Sequence, residues 1–136
     1  MSHALFRPID GKEGEILDFI MQAPEVRAHP SVSYAVRLAC EEIIVNIIRY
    51  AYPDAEDGYI GVGIAEDGQA LRITIRDGGK PFNPLERERP DTTQALEDRE
   101  IGGLGIFLVR QVADRVDYAY TGGENRLSLV KNIRKE

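Results

Sequence analysis

Residues 59–82 read YIGVGIAEDGQALRITIRDGGKPF. Two β-like segments lie within them, YIGVGIAE from Tyr59 and ALRITIRD from Ala70, where apolar residues recur at every second position, as in strands with one buried face. Asp67 and Gly68 between them form a dipeptide that favours a tight hairpin turn, so an antiparallel pair is expected. Downstream, Val116 to Tyr120 and Arg126 to Ile133 read as a closing hairpin around Thr121 to Asn125. Upstream, Ala4 to Pro8 reads as a short edge strand.

The remaining periodic segments are helical. Asp10 is placed to cap a helix through Gln22, with Ile16, Leu17, Phe19 and Ile20 as its apolar content. Pro24 and Pro30 bracket a connection. Ser31 or Ser33 then caps a long helix to about Ala51, in which Val36, Cys40, Ile43, Ile44, Ile47 and Ile48 recur at the helical period. A third helix is expected from about Leu104 through Val112. Helices followed by hairpins, without strict βαβ alternation, predict an α+β two-layer sandwich with helices on one face of a mixed, mainly antiparallel sheet. A chain of 136 residues with 43% hydrophobic content supports one substantial core, hence a single domain over residues 1–136.

A net charge of −6 and a pI near 5.0 argue against a surface that tracks nucleic acid or anionic lipid. Cys40, the single cysteine, reads as a small buried hydrophobe suited to a reducing compartment. No apolar run approaches the roughly 18 residues a membrane span needs, and MSHALFRPIDGKE lacks a signal-peptide core. A cytoplasmic protein is expected.

Three clusters carry possible chemistry. Glu42 and Asn46 stand one turn apart on one helix face, with Arg49 beside them. A carboxylate next to an amide carbonyl is a plausible pairing of proton acceptor and hard-cation ligand, although for this helix alone a polar stripe opposite Val36, Cys40, Ile47 and Ala51 is more simply a solvated face. The second cluster, Asp77-Gly78-Gly79-Lys80-Pro81-Phe82, follows a strongly apolar strand. Its glycines let backbone approach a ligand, and Asp77 can accept the exocyclic amine of adenine, but a plain turn uses the same residues. Third, Gly102-Gly103-Leu104-Gly105-Ile106-Phe107 precedes a helix whose N-terminal N–H groups attract phosphate, with a glycine cap as the competing explanation. The polar stretch from Gly78 to Gly103 is long for an ordinary connection and reads as a lid or loop with a function.

Taken in order, EEIIVNIIRYAY, DGGKPF and GGLGIFLV resemble the asparagine box and the two glycine boxes of the GHKL ATP-binding fold, also called the Bergerat fold. The resemblance is strongest to its anti-sigma-factor serine kinase branch and extends from the opening strand to the closing LSLVK. It implies that Glu42 is the catalytic base, that Asn46 coordinates Mg²⁺, and that Asp77 reads adenine with Gly79 beside it. Gly103, Leu104 and Gly105 line the phosphates, and an ATP lid covers about residues 80–102, where Lys80, Arg87, Arg89 and Arg99 are the available cations. The cofactors implied are ATP and Mg²⁺. The partners implied are a small anti-sigma-factor antagonist, phosphorylated on a hydroxyl, and a sigma factor; a homodimer is also in keeping with the branch.

The chain departs from the branch in one place. Many members carry a threonine just before the final-strand lysine, where it helps to bind adenine; here Val130 precedes Lys131, with Ser128 two residues away. Two further readings stand beside the kinase: a nucleotide-dependent protein-binding module with little phosphotransfer, and an α+β domain without a ligand. His3 and His29 precede the catalytic box and read as surface residues rather than as phosphoacceptors.

Overall fold

A computed structural model describes residues 1–7, 11–48, 58–86 and 109–133. Strands β1 (Ser2–Phe6), β2 (Ile60–Glu66), β3 (Ala70–Asp77), β4 (Arg115–Thr121) and β5 (Glu124–Asn132) form one sheet in the order β1-β2-β3-β5-β4. Every neighbouring pair is antiparallel, so the mixed, mainly antiparallel sheet expected from the sequence is antiparallel throughout the described residues. β3 is central because its alternate residues Leu71, Ile73, Ile75 and Asp77 are all buried and both its edges are paired.

The two hairpins close by different chemistry. In the β2–β3 turn, Asp67 Oδ1 accepts from the backbone N–H groups of Gln69 and Ala70, both at 2.9 Å, while Gly68 sits at φ 90°. The acidic side chain thus replaces a backbone acceptor in the turn. Between β4 and β5, Gly122 (φ 61°) and Gly123 (φ 78°) supply the two consecutive positive dihedrals that a two-residue hairpin of matching twist requires. β5 starts at Glu124, so Asn125 lies in the strand and not in the turn.

Helices α1 (Glu13–Gln22), α2 (Pro24–Arg27) and α3 (Pro30–Asn46) cover one face of the sheet. α2 was not anticipated: Pro24 occupies its first turn, where the missing N–H costs nothing. α1 begins at Glu13, and Asp10 lies outside the described residues. α3 starts earlier than expected, with His29 as N-cap and Pro30 at its first helical position. Ser33 is not its cap; its hydroxyl donates back to the Pro30 carbonyl at 2.9 Å. His29 is half-buried and not a free surface residue, its Nε2 lying 2.9 Å from Glu66 Oε1 at the end of β2. Residues 109–112 are helical, and the remainder of the expected third helix lies outside the described residues.

One core joins the layers. Ile16 and Ile20 of α1, Val36, Cys40, Ile43 and Ile44 of α3, and Ile60, Ile64, Leu71, Ile73, Ile75, Leu127 and Leu129 of the sheet form a continuous buried cluster. Burial pushes the Cys40 thiol up to about 12, so it packs as an inert hydrophobe. None of the described helices is long and apolar enough to cross a membrane. Ile73 is fully buried at the centre of this cluster; Ile73→Ala should cost about 2–5 kcal/mol in urea unfolding, and a loss well below that range would show that the sheet centre collapses around the deletion.

Candidate functional site

The candidate site residues that are described lie in two places bordering this core. The first is the C-terminal end of α3. The solvated stripe of that helix is Ser31, Tyr34, Arg37 and Glu41; Glu42, one step around, is partly buried, and the solvated-face reading fails for Asn46. Asn46 is completely buried. Its Nδ2 donates to the Glu42 carbonyl at 2.6 Å, which consumes the amide's donor side locally and leaves its oxygen turned away. That Asn46 Oδ1 and Glu42 Oε2 are buried and without a hydrogen-bond partner among the described residues.

Leaving such a group unpaired costs about 1–3 kcal/mol, which makes this pair the candidate ligand-facing end of the helix. Burial raises the Glu42 carboxyl above its ordinary range, and the neighbouring Glu41 charge adds to the shift. A carboxylate raised in this way is a better proton acceptor near neutral pH. Residues 47–48, immediately after Asn46, form a widened π-type turn, a distortion that recurs at functional positions in helices. Arg49 lies outside the described residues.

The second place is the end of β3. Asp77 is almost wholly buried. Burial raises its carboxyl, opposed by hydrogen bonds from Asn125 and the Gly79 N–H, with the Glu124 charge adding a smaller upward push. Gly79 N donates to Asp77 Oδ1 at 2.9 Å, and Asn125 Nδ2 donates to the same oxygen at 3.0 Å. Gly78 is required for another reason: a Cβ there would lie 2.5 Å from the Tyr59 ring, whose hydroxyl donates to Glu124 Oε2 at 2.5 Å. DGG is therefore a turn held by its own carboxylate, with one glycine admitting an aromatic ring.

A family model described as the histidine kinase-like ATPase domain matches residues 13–131. The chain belongs to this family. Among curated relatives, the serine/threonine-protein kinase BtrW of Bordetella bronchiseptica is 23% identical over 103 residues, covering 76% of this chain and 72% of BtrW. The serine-protein kinase RsbW of Listeria monocytogenes is 30% identical over 92 residues, covering 65% of this chain and 59% of RsbW. The anti-sigma F factor of Anoxybacillus flavithermus is 23% identical over 101 residues, covering 74% and 69%. A solved structure of the mycobacterial sensor histidine kinase MprB aligns with 99% of this chain and 100% of its own at a TM-score of 0.55 and 20% identity, which supports the α+β fold.

Membership in this ATPase family implies ATP as the nucleotide, and the residues present fit Mg²⁺. Among the described residues no group of three or more His, Cys, Asp or Glu could cage a metal by itself. A single buried amide oxygen without a partner suits an ion that takes most of its remaining ligands from phosphates and water. Gly103, Leu104 and Gly105, and residues 87–102 of the expected lid, lie outside the described residues; Lys80 to Glu86 lie within them.

Two expectations about β5 change. Val130 pairs in register with Arg72, and Ser128 with Thr74, so both lie on the face opposite Asp77, and replacing a threonine at 130 removes nothing from the Asp77 side. Lys131 reaches the other way, donating to the Val112 carbonyl at 2.7 Å. The polar group facing Asp77 is Asn125, directly opposite it across β3 and β5. Sequence reasoning missed it because the two are 48 residues apart; its signal was an asparagine in the inward register of Leu127 and Leu129.

A raised folded-state pKa means that the native chain holds the Asp77 proton more tightly than the unfolded chain. Stability should therefore fall as pH rises from the ordinary value of 3.8 through the folded one, leaving a fixed penalty above both. Asp77→Asn keeps an acceptor for Gly79 and Asn125 and removes the buried charge. At neutral pH it should unfold at the same temperature as the wild type or higher, and its stability should lack that fall. A clear loss of stability at neutral pH would contradict this assignment.

Proposed function

We propose that this chain is a Mg-ATP-dependent anti-sigma factor and protein serine/threonine kinase, which phosphorylates a hydroxyl on a small antagonist protein and otherwise sequesters a sigma factor. One observation carries the reading: a buried amide oxygen and a buried carboxylate oxygen, Asn46 Oδ1 and Glu42 Oε2, lie one helical turn apart with no partner among the described residues. The names of BtrW, RsbW and the anti-sigma F factor support the substrate class. The chain spans only 59% of RsbW, so the activity of the whole relatives is carried here as part of the proposal.

In this reading Asn46, oriented by its own bond to the Glu42 carbonyl, holds Mg²⁺ through Oδ1, and the ion supplies neutralisation of phosphate charge. Glu42 accepts the proton of the antagonist's serine or threonine hydroxyl as that oxygen forms a bond to the γ-phosphorus. The bond from the γ-phosphorus to the bridging oxygen breaks, and ADP leaves. Asp77 accepts the adenine amine, with the Gly79 backbone beside it. Gly103, Leu104 and Gly105 cradle the phosphates, and residues 80–102 form the lid that excludes water. The protein acts in the cytoplasm, and pairing of two copies accompanies this role.

The test is transfer of labelled γ-phosphate from ATP to a purified candidate anti-sigma-factor antagonist. Glu42→Gln should reduce transfer by about 10²- to 10⁴-fold while nucleotide affinity stays within a small factor of wild type. Full transfer by the variant would remove Glu42 as the base. A wild type that binds ATP and its antagonist but transfers nothing would make the chain a nucleotide-dependent binding module.

A further inference from the structure

The Asn125 carboxamide uses its whole hydrogen-bonding capacity. Its Oδ1 accepts from the Phe82 N–H at 2.9 Å and from the Tyr118 hydroxyl. Its Nδ2 donates to Asp77 Oδ1 at 3.0 Å and to the Lys80 carbonyl at 2.9 Å. A backbone N–H only donates, so Phe82 fixes which end of the amide is oxygen, and the amino group must face Asp77. Gly79 N–H already occupies the same Asp77 oxygen. Both hydrogen bonds to this carboxylate therefore fall on Oδ1, and Oδ2 accepts from no described residue.

We propose that Asn125 is a positioning residue that sets base selectivity: by holding Asp77 Oδ1, it dedicates Oδ2 to the exocyclic amine of adenine and makes the site reject a purine with a carbonyl at that position. This rests on the reading that Asp77 faces the base. The carboxylate would otherwise turn about its terminal torsion, which is broad for aspartate, and share its acceptor directions among several poses. Asn125 removes that freedom with a group that only donates toward Asp77. The same amide grips Lys80 and Phe82, so the base-reading carboxylate and the chain leaving it move as one unit. A site built to pair one donor discriminates strongly, because the wrong ligand leaves a buried acceptor facing another acceptor.

The experiment is calorimetric titration with Mg-ATP and Mg-inosine triphosphate, which differ only at the six-position of the purine and the adjoining ring nitrogen. The wild type should prefer ATP by about 10- to 100-fold, and Asn125→Ala should lower this preference to a few-fold, chiefly by weakening ATP. A folded Asn125→Ala that binds both nucleotides more weakly at an unchanged ratio overturns the proposal and leaves Asn125 a structural clamp. A second measurement needs no variant: in the wild type, ATP should shift the Asn125 side-chain amide resonances and inosine triphosphate should not. Equal shifts with both overturn the proposal even if the variant fails to fold. A wild type that binds neither nucleotide removes the nucleotide reading itself, a result distinct from binding both without preference.

Discussion

The pairing of β5 against β3 is the constraint on which the site depends. It places Asn125 opposite Asp77 and, by the two-residue period of a strand, puts Leu127 against Ile75 and Leu129 against Ile73 on the same face. A shift of one residue would turn those leucines out to solvent and bring Arg126 inward. The hydrophobic register that builds the core therefore also delivers the amide to the carboxylate. The turn at Gly122 and Gly123 holds β4 in the same frame and presents the Tyr118 hydroxyl to Asn125.

Within this frame, buried polarity is confined to a few positions. Among the described residues the buried polar or charged side chains are Asn46, Asp77 and Asn125. Asn125 pairs with one oxygen of Asp77 and with the loop beyond β3, tying that loop to the strand end. Asn46 differs: half of its amide is bonded within α3 and half has no partner among the described residues.

Much of the fold was legible because it depends on local periodicity. The alternation in β2 and β3, the Asp67-Gly68 turn and the apolar repeat of α3 each report a burial pattern that the structure reproduces. Ends were less legible: His29 and Pro30, not Ser31 or Ser33, start α3, because proline fits the first turn without needing a donor. Glu42 and Asn46 could be found by spacing, but their burial could not, since helical period alone sets them near the solvated edge. Asn125 was invisible as a site residue because its partner is distant in sequence, and only strand pairing brings the two together. Val130 was misjudged because only the register shows that it pairs with Arg72, on the opposite face of the strand and five residues along β3 from Asp77.

The central question is whether the Asn46 end of α3 and the Asp77 carboxylate serve one ligand. Thermal unfolding with ATP, with and without Mg²⁺, tests this directly, because a ligand bound only by the native state raises its stability by mass action. At ATP concentrations ~100-fold above Kd, stabilisation of ~2.7 kcal/mol is expected, a shift of several degrees, enhanced by Mg²⁺. The Mg²⁺ enhancement should vanish in Asn46→Ala. A wild-type chain whose melting temperature is unmoved by millimolar Mg-ATP would contradict a shared nucleotide site.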